Sequence, residues 1–184
     1  MGNKDSLRKK YYIIRKKKYY DIKPDFFNPL LKIIKTNYYK KHVKLSTYYP
    51  SSFEVNVLKL FEKKIQKNIK ILLPSLKRNN TMGFYQWNIN EVLKINKFGM
   101  LEPQIKLNEI IPNIMLVPLL AFDNKKNRLG YGKVFYDRYL KKYLDNNNIL
   151  TIGIAFSFQR HHKLPVSSND VKLNYILTEK GIIK

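Results

Sequence analysis

Two segments of the chain, "NIMLVPLLAF" (113–122) and "NILTIGIAF" (148–156), are apolar almost from end to end. A strand with one wet face alternates polar and apolar residues, so strands like these must be covered on both faces. Such strands belong to parallel sheets with helices above and below, which limits the fold more than any other feature of the sequence. Other stretches supply the rest of the sheet. "VKLSTYY" (43–49) reads as a strand ended by Pro50, "IKILLPS" (69–75) as another, and "MGFYQW" (82–87) and "NYILTE" (174–179) as shorter ones. Helical spacing lies between them. Leu7, Tyr11 and Ile14 mark an amphipathic helix from residue 4 to about 20, and Pro24 and Asp25 restart the chain before a helix over Phe26 to Thr36. Ser51 and Glu54 have the spacing of a capping box, followed by a helical stripe at Phe53, Val57, Leu60, Phe61 and Ile65. From Tyr136, apolar positions 136, 139, 140, 143 and 144 trace a further helix. With no internal repeat and no linker, residues 1–184 read as one α/β domain: a three-layer sandwich, its sheet mostly parallel or mixed, with helices on both faces.

Charge is the next constraint. The chain carries 36 Lys and Arg against 13 Asp and Glu, a formal +23. Such a balance suits a protein that binds polyanions. It also follows from a composition crowded with Lys, Asn, Ile and Tyr, in which lysine covers every solvated face. Basic residues cluster at Arg8 to Lys10, Arg15 to Lys18, and Lys40 and Lys41, but no RNA-binding signature accompanies them. We read the charge as compositional bias, with no specific nucleic-acid partner. An RNA-binding protein is the alternative class. At 44% hydrophobic and 14% aromatic the chain has the material for a core, which excludes a disordered protein. The absence of cysteine excludes disulfides, thiolate zinc sites and cysteine nucleophiles. The longest apolar run, Ile110 to Phe122, is broken by Pro112, Asn113 and Pro118, so no stable membrane insertion is expected. Gly2 and Ser6 fit an N-myristoylation pattern, and the lysines that follow could serve as its polybasic second signal. The pattern is short and acylation is not favoured; a cytoplasmic protein is the expectation.

The loop after the first apolar strand carries the chemistry. In "NRLGYGKVFYDRYL" (127–140), Gly130 and Gly132 begin a dinucleotide fingerprint, but Phe135 stands where its third glycine belongs. A Walker loop fails as well, because Val134 follows Lys133 where Ser or Thr is needed. What remains is a Gly-x-Gly with a lysine at a helix start, which offers backbone N–H groups and the positive end of a helix dipole to a phosphate, or is an ordinary turn. Ligands of such sheets sit at the carboxyl ends of strands. If strands 113–122 and 148–156 are neighbours, this loop and "QRHHKLPVSSND" (159–170) converge on one crevice.

The residues here match a known family. "MLVPLLAFDNKKNRLGYGKVFYDRYL" (115–140) closely resembles the signature of the 5-formyltetrahydrofolate cyclo-ligases, also called methenyltetrahydrofolate synthetases. That signature runs through a hydrophobic strand, a Pro and a Phe-Asp into Arg-Leu-Gly-x-Gly-x-Gly-Tyr-Tyr-Asp. Arg128, Leu129, Gly130, Gly132, Tyr136 and Asp137 fit it, Phe135 replaces a tyrosine, and Val134 stands at the third glycine. "KDSLR" (4–8), "FEVNV" (53–57), "KFGMLEP" (97–103), "GIAFSFQ" (153–159) and "LPVSSNDVKLNYILTE" (164–179) resemble further family segments in order.

The resemblance implies a ligase that uses ATP and Mg2+ to convert 5-formyltetrahydrofolate, with or without a polyglutamate tail, to 5,10-methenyltetrahydrofolate, ADP and phosphate. It implies that Lys4, Arg8 and the run Arg128, Leu129, Gly130, Tyr131, Gly132, Lys133, Val134, Phe135 and Tyr136 bind ATP. Arg128, Lys133 and Tyr136 would be catalytic, Tyr49 and Glu54 would bind the folate, and Asp137 and Asp170 would hold the metal ion. Plainer readings stand beside these. Glu54 also fits the cap on Ser51, Asp137 complements a helix dipole, Asp170 fits a turn, and Lys4 and Arg8 are two among many surface bases. Tyr49, Phe84 and Trp87 could offer flat faces to a pterin or simply pack the core. His161 and His162 are adjacent, point apart in a strand, and receive no role. A monomer is expected. A β-branched Val134 tolerates positive φ badly, so either that position has ordinary φ or phosphate contact is altered, and a relative that has lost catalysis is a third possibility.

Overall fold

The computed structural model describes residues 4–38, 42–63, 69–77, 79, 81–104, 108–144 and 147–184. Helix α1 (Lys4–Lys18) is followed by a 3-10 turn (Pro24–Phe27) that leads into α2 (Asn28–Asn37) and strand β1 (Val43–Ser46). A second 3-10 turn (Val57–Glu62) precedes β2 (Ile69–Leu76), β3 (Met82–Gln86), β4 (Leu93–Ile95) and β5 (Leu101–Pro103). Then come β6 (Ile114–Pro118), β7 (Ala121–Phe122), β8 (Arg128–Leu129), α3 (Phe135–Tyr143), β9 (Leu150–Ile154), β10 (Tyr175–Thr178) and β11 (Gly181–Ile183).

The main sheet is 7-stranded, in the order β11-β10-β9-β6-β1-β2-β3. From β10 to β2 every neighbour is parallel, while β3 and β11 close the two edges antiparallel. The sheet is therefore mixed around a parallel centre. The two apolar segments are adjacent, with Ile114 opposite Leu150 and Pro118 opposite Ile154.

Their uniform apolarity has a direct use. Ile114 and Leu116 of β6 pack with Phe27, Leu30 and Ile34 of the α2 side, while Met115 and Val117 pack with Tyr139 and Leu140 of α3. Successive side chains of one strand thus serve two cores, giving the three layers expected.

Several boundaries differ from the expectation, each for a local reason. The apolar run 113–122 is two strands, because Pro118 has no N–H to extend the ladder and the chain turns at Leu119 and Leu120 into the β7–β8 hairpin. The strand expected over 43–49 ends at Ser46. The helix expected from Phe26 starts at Asn28, with a proline in its first turn and a 3-10 turn ahead of it. The stripe from Phe53 to Phe61 forms only the short 3-10 turn, since Ser52 (φ 49°) and Phe53 (φ 64°) reverse the chain where a helix would begin. Ile65 lies outside the described residues. The β4–β5 hairpin was not anticipated; Asn96 builds its turn by accepting from the N–H groups of Phe98 (2.9 Å) and Met100 (3.1 Å).

Candidate active site at the carboxyl ends of the central strands

Because β6 and β9 run parallel side by side, the segments that leave them emerge at one edge of the sheet. After β6 the chain forms the β7–β8 hairpin, whose turn is organised by buried Asp123. Its carboxylate accepts from the N–H groups of Lys125 (2.9 Å), Asn127 (3.0 Å) and Leu164 (3.2 Å), which ties the post-β9 segment to the glycine loop. Helix α1 covers this edge through Leu7, Tyr11 and Ile14, packed against Leu120, Ala121, Leu129 and Leu164.

The cations of α1 reach into this edge in sequence. Lys4 Nζ lies 2.5 Å from Asp170 Oδ2. Arg8 Nε donates to the carbonyl of Gly130 (3.0 Å), and its guanidinium also meets Asp5 at 2.5 Å. Gly132 has φ +91°, and a Cβ there would stand 3.2 Å from the Arg8 Cζ, so this glycine is needed both for its backbone and for the close approach. Further along the same face is a residue the sequence did not single out. Arg15 is 1% exposed, donates to Leu119 O (3.1 Å) and Ser52 O (2.6 Å), and hydrogen-bonds the hydroxyl of Tyr131. In the sequence it sits inside the run Arg15 to Lys18, which has the look of a solvated basic cluster. Its register was the available signal: Lys4, Arg8, Tyr11 and Arg15 follow one helix face.

Tyr131 connects this arginine to Glu54, donating to Glu54 Oε1 at 2.9 Å. The other carboxylate oxygen accepts from Ser51 N–H at 3.0 Å. The capping contact is thus present although no helix starts there, and it leaves Oε1 directed at the glycine loop. Burial pushes the Glu54 carboxyl above its ordinary range, opposed by the Arg15 guanidinium and by the bonds from Ser51 and Tyr131. Burial, with Glu54 beside it, drives the Tyr131 phenol far upward, so it stays protonated and donates. The Tyr136 hydroxyl is buried without a hydrogen-bond partner among the described residues, and burial with the nearby Glu54 charge keeps it protonated too.

Arg128 is nearly enclosed, donating to Asp137 Oδ1 (2.7 Å) and to the carbonyl of Val171 (3.1 Å). The same Asp137 oxygen accepts from Val171 N–H (3.1 Å). Asp170 Oδ2 accepts from Ser167 N–H (2.6 Å) and Oγ (3.0 Å) as well as from Lys4. Burial alone would raise its carboxyl, but the Lys4 and Ser167 bonds outweigh that and hold it below the ordinary range. Asp137 and Asp170 both bear electrostatically on the Arg128 guanidinium, so the two face one region. Among the described residues no group of three or more acidic or histidine side chains could hold a metal ion. Two carboxylates suit an Mg2+ ion that keeps several waters and arrives on a phosphate, and do not make a resident all-protein cage.

Val134 stands just before α3 at φ 58°, ψ 9°, in the left-handed region that favours glycine. Its side chain is strained there. Lys133 Nζ lies 4.9 Å from the ring centroid of Phe98, and Phe98 meets Phe135 at 5.9 Å, so the β4–β5 turn lies against the glycine loop. Tyr49 is half-buried, whereas Phe84 and Trp87 are core residues and offer no face to a ligand. His161 is taken up by Tyr11, whose hydroxyl is 2.9 Å from its Nδ1.

A family model described as the 5-formyltetrahydrofolate cyclo-ligase family matches residues 4–179. A 5-formyltetrahydrofolate cyclo-ligase of Haemophilus influenzae is 31% identical over 139 residues, 72% of this chain and 74% of the relative. A probable 5-formyltetrahydrofolate cyclo-ligase of Schizosaccharomyces pombe is 29% identical over 146 residues, 71% and 72% of the two chains. Among solved structures, the 5,10-methenyltetrahydrofolate synthetase of Aquifex aeolicus superposes with a TM-score of 0.77 at 29% identity, covering 98% of this chain and 92% of its own. A synthetase from Mycoplasma pneumoniae gives 0.72 at 24% identity, a likeness of fold.

Proposed function

The chain belongs to the 5-formyltetrahydrofolate cyclo-ligase family, and on that premise we propose that it closes 5-formyltetrahydrofolate to 5,10-methenyltetrahydrofolate at the expense of ATP. The observation that carries this reading is the 2.9 Å contact between Tyr131 and Glu54, since the loop assigned to nucleotide and the carboxylate assigned to folate then belong to one site.

The formyl oxygen of an amide is a poor leaving group. Transfer of the γ-phosphoryl group to that oxygen makes it a good one, N10 attacks the activated carbon, and phosphate departs. Phosphoryl transfer of this kind is chiefly positioning and neutralisation of charge. Lys4, Arg8, Arg128 and Lys133, with the N–H groups of Gly130 to Gly132, hold and neutralise the phosphates. Glu54, with one oxygen fixed by Ser51, accepts from pterin N–H groups through the other, beside Tyr49. The Tyr136 hydroxyl is a ready donor to an oxygen on which negative charge develops, because it is protonated and has no hydrogen-bond partner among the described residues. Asp137 and Asp170 supply the oxygens for Mg2+, which would neutralise phosphate charge. We take residues 1–184 as one such domain, acting as a cytosolic monomer; no described helix is long and apolar enough to cross a membrane, and Gly2 lies outside the described residues.

The test is formation of the near-ultraviolet methenyl chromophore from 5-formyltetrahydrofolate. Product is expected only with both ATP and a divalent metal ion present. Folded protein that yields none at high concentration would leave a relative that has lost catalysis.

A further inference from the structure

The groups assigned to ligands are bonded to one another. Lys4 holds Asp170, Arg8 holds the carbonyl of Gly130, Arg128 holds Asp137, and Arg15, Tyr131 and Glu54 form a chain in which guanidinium donates to phenol and phenol to carboxylate. Tyr131 is central to this arrangement. It lies between the two glycines of the loop, yet its hydroxyl reaches down to the buried pair while the residue as a whole stays 41% exposed. The Arg15 Cζ also sits 5.4 Å from its ring centroid. This single side chain therefore pins the phosphate loop to the floor of the folate site. It occupies a position left variable in the family signature.

We propose that Tyr131 is a latch: its hydroxyl takes the Glu54 oxygen that a pterin N–H would use, and so holds the glycine loop in a self-paired conformation that both substrates must open. The proposal rests on the functional reading above. A folate that takes Glu54 displaces the hydroxyl, frees the loop, and releases Arg8 from Gly130 toward phosphate. A nucleotide that draws the loop away uncovers Glu54. Apart from their meeting at the transferring phosphoryl group, each ligand bears less of the opening when it binds second, which is positive coupling through a shared conformational equilibrium. A hydrogen bond from phenol to a buried carboxylate is strong enough to hold the latch closed in about nine molecules of ten or more.

Tyr131→Phe keeps the ring and removes the latch. Calorimetric titration would use the imido analogue of ATP with Mg2+, and 5-formyltetrahydrofolate monoglutamate, each alone and each in the presence of the other. In the wild type, each ligand is expected to tighten the other about tenfold. In Tyr131→Phe, each alone is expected to bind about as tightly as it does to the wild type already holding its partner, and the coupling should vanish. Wild-type protein that binds both ligands independently would overturn the latch without needing any variant, so the result does not depend on Tyr131→Phe folding well. Coupling that persists unchanged in a folded Tyr131→Phe would overturn it as well. Wild-type protein that binds neither ligand would defeat the functional reading itself, a different result from independent binding of both.

Discussion

A valine in the left-handed region is an unusual thing to find at the start of a helix. Val134 accepts the N–H of Arg138 (3.0 Å) as the first helical bond requires, so its backbone is committed to φ 58°. A β-branched residue there costs roughly 1–2 kcal/mol, against which a glycine would lose a further 0.5–1 kcal/mol or so of unfolded-chain entropy on folding. Val134→Gly is therefore expected to raise the melting temperature by about 2 °C. A fall would show that packing of the valine outweighs its strain. Glu54 permits a sharper separation of roles. Its folded-state pKa lies above the ordinary 4.5, so the carboxyl favours the fold below that value and the contribution is lost as pH rises through the folded-state pKa. Glu54→Gln keeps an acceptor for Ser51 and removes a buried charge. Its melting temperature should equal or exceed the wild type at pH 7, the difference narrowing in acid. The folate KM at pH 7 should rise about tenfold or more. An unchanged KM would leave Glu54 only the turn at Ser51.

At the scale of elements, α1 does more than its sequence pattern conveys. Its amphipathic stripe and its start at Lys4 were legible from spacing, and the family resemblance drew attention to Lys4 and Arg8, which the fold brings against Asp170 and the carbonyl of Gly130. Arg15 was not, because a charged residue at the edge of a lysine run is ordinarily solvated. The chain from residue 51 departs from the helix its pattern predicts for a related reason. Stripe and capping spacing describe side chains, whereas the reversal at Ser52 and Phe53 is a backbone event held from outside by the Arg15 bond to Ser52 O. Arg15 thus bridges α1, that turn, the end of β6 and the glycine loop. Arg15→Met removes the counter-charge of a buried carboxylate as well as these bonds. A loss of about 3 kcal/mol, or about 10 °C in melting temperature, is expected at pH 8. Without Arg15 the Glu54 pKa rises further, so lowering the pH to 5 neutralises the stranded carboxyl and should recover a part of that loss. A deficit equal at both pH values would assign Arg15 to its carbonyl bonds and packing alone.

For the molecule as a whole, the parallel centre of the sheet was legible because burial on two faces leaves its mark on every residue of β6 and β9. Strand β3 was legible as a strand, but its antiparallel place at the edge was not, and neither were β11 and the β4–β5 hairpin, since edges and turns are set by what the neighbouring chain leaves unpaired. The charge of +23 is a property of this same scale, and it bears on stability whatever its origin. Buried or half-buried pairs such as Arg128–Asp137 and Lys4–Asp170 are short-range and weakly screened. With 36 Lys and Arg against 13 Asp and Glu, bases far outnumber acids, so the compact state concentrates positive charge that the unfolded chain can spread. Raising ionic strength from 0.01 to 0.1 M shortens the screening length from about 30 Å to about 10 Å, below the separation of many lysines but above the length of any ion pair. Sodium chloride over that range is therefore expected to raise the melting temperature by a few degrees. Chloride is the proper anion, because phosphate or sulfate could bind at the glycine loop and stabilise by mass action. A melting temperature that falls with added chloride would mean that attractive pairs outweigh the repulsion, and that the excess lysines are arranged around acids and not merely scattered over solvated faces.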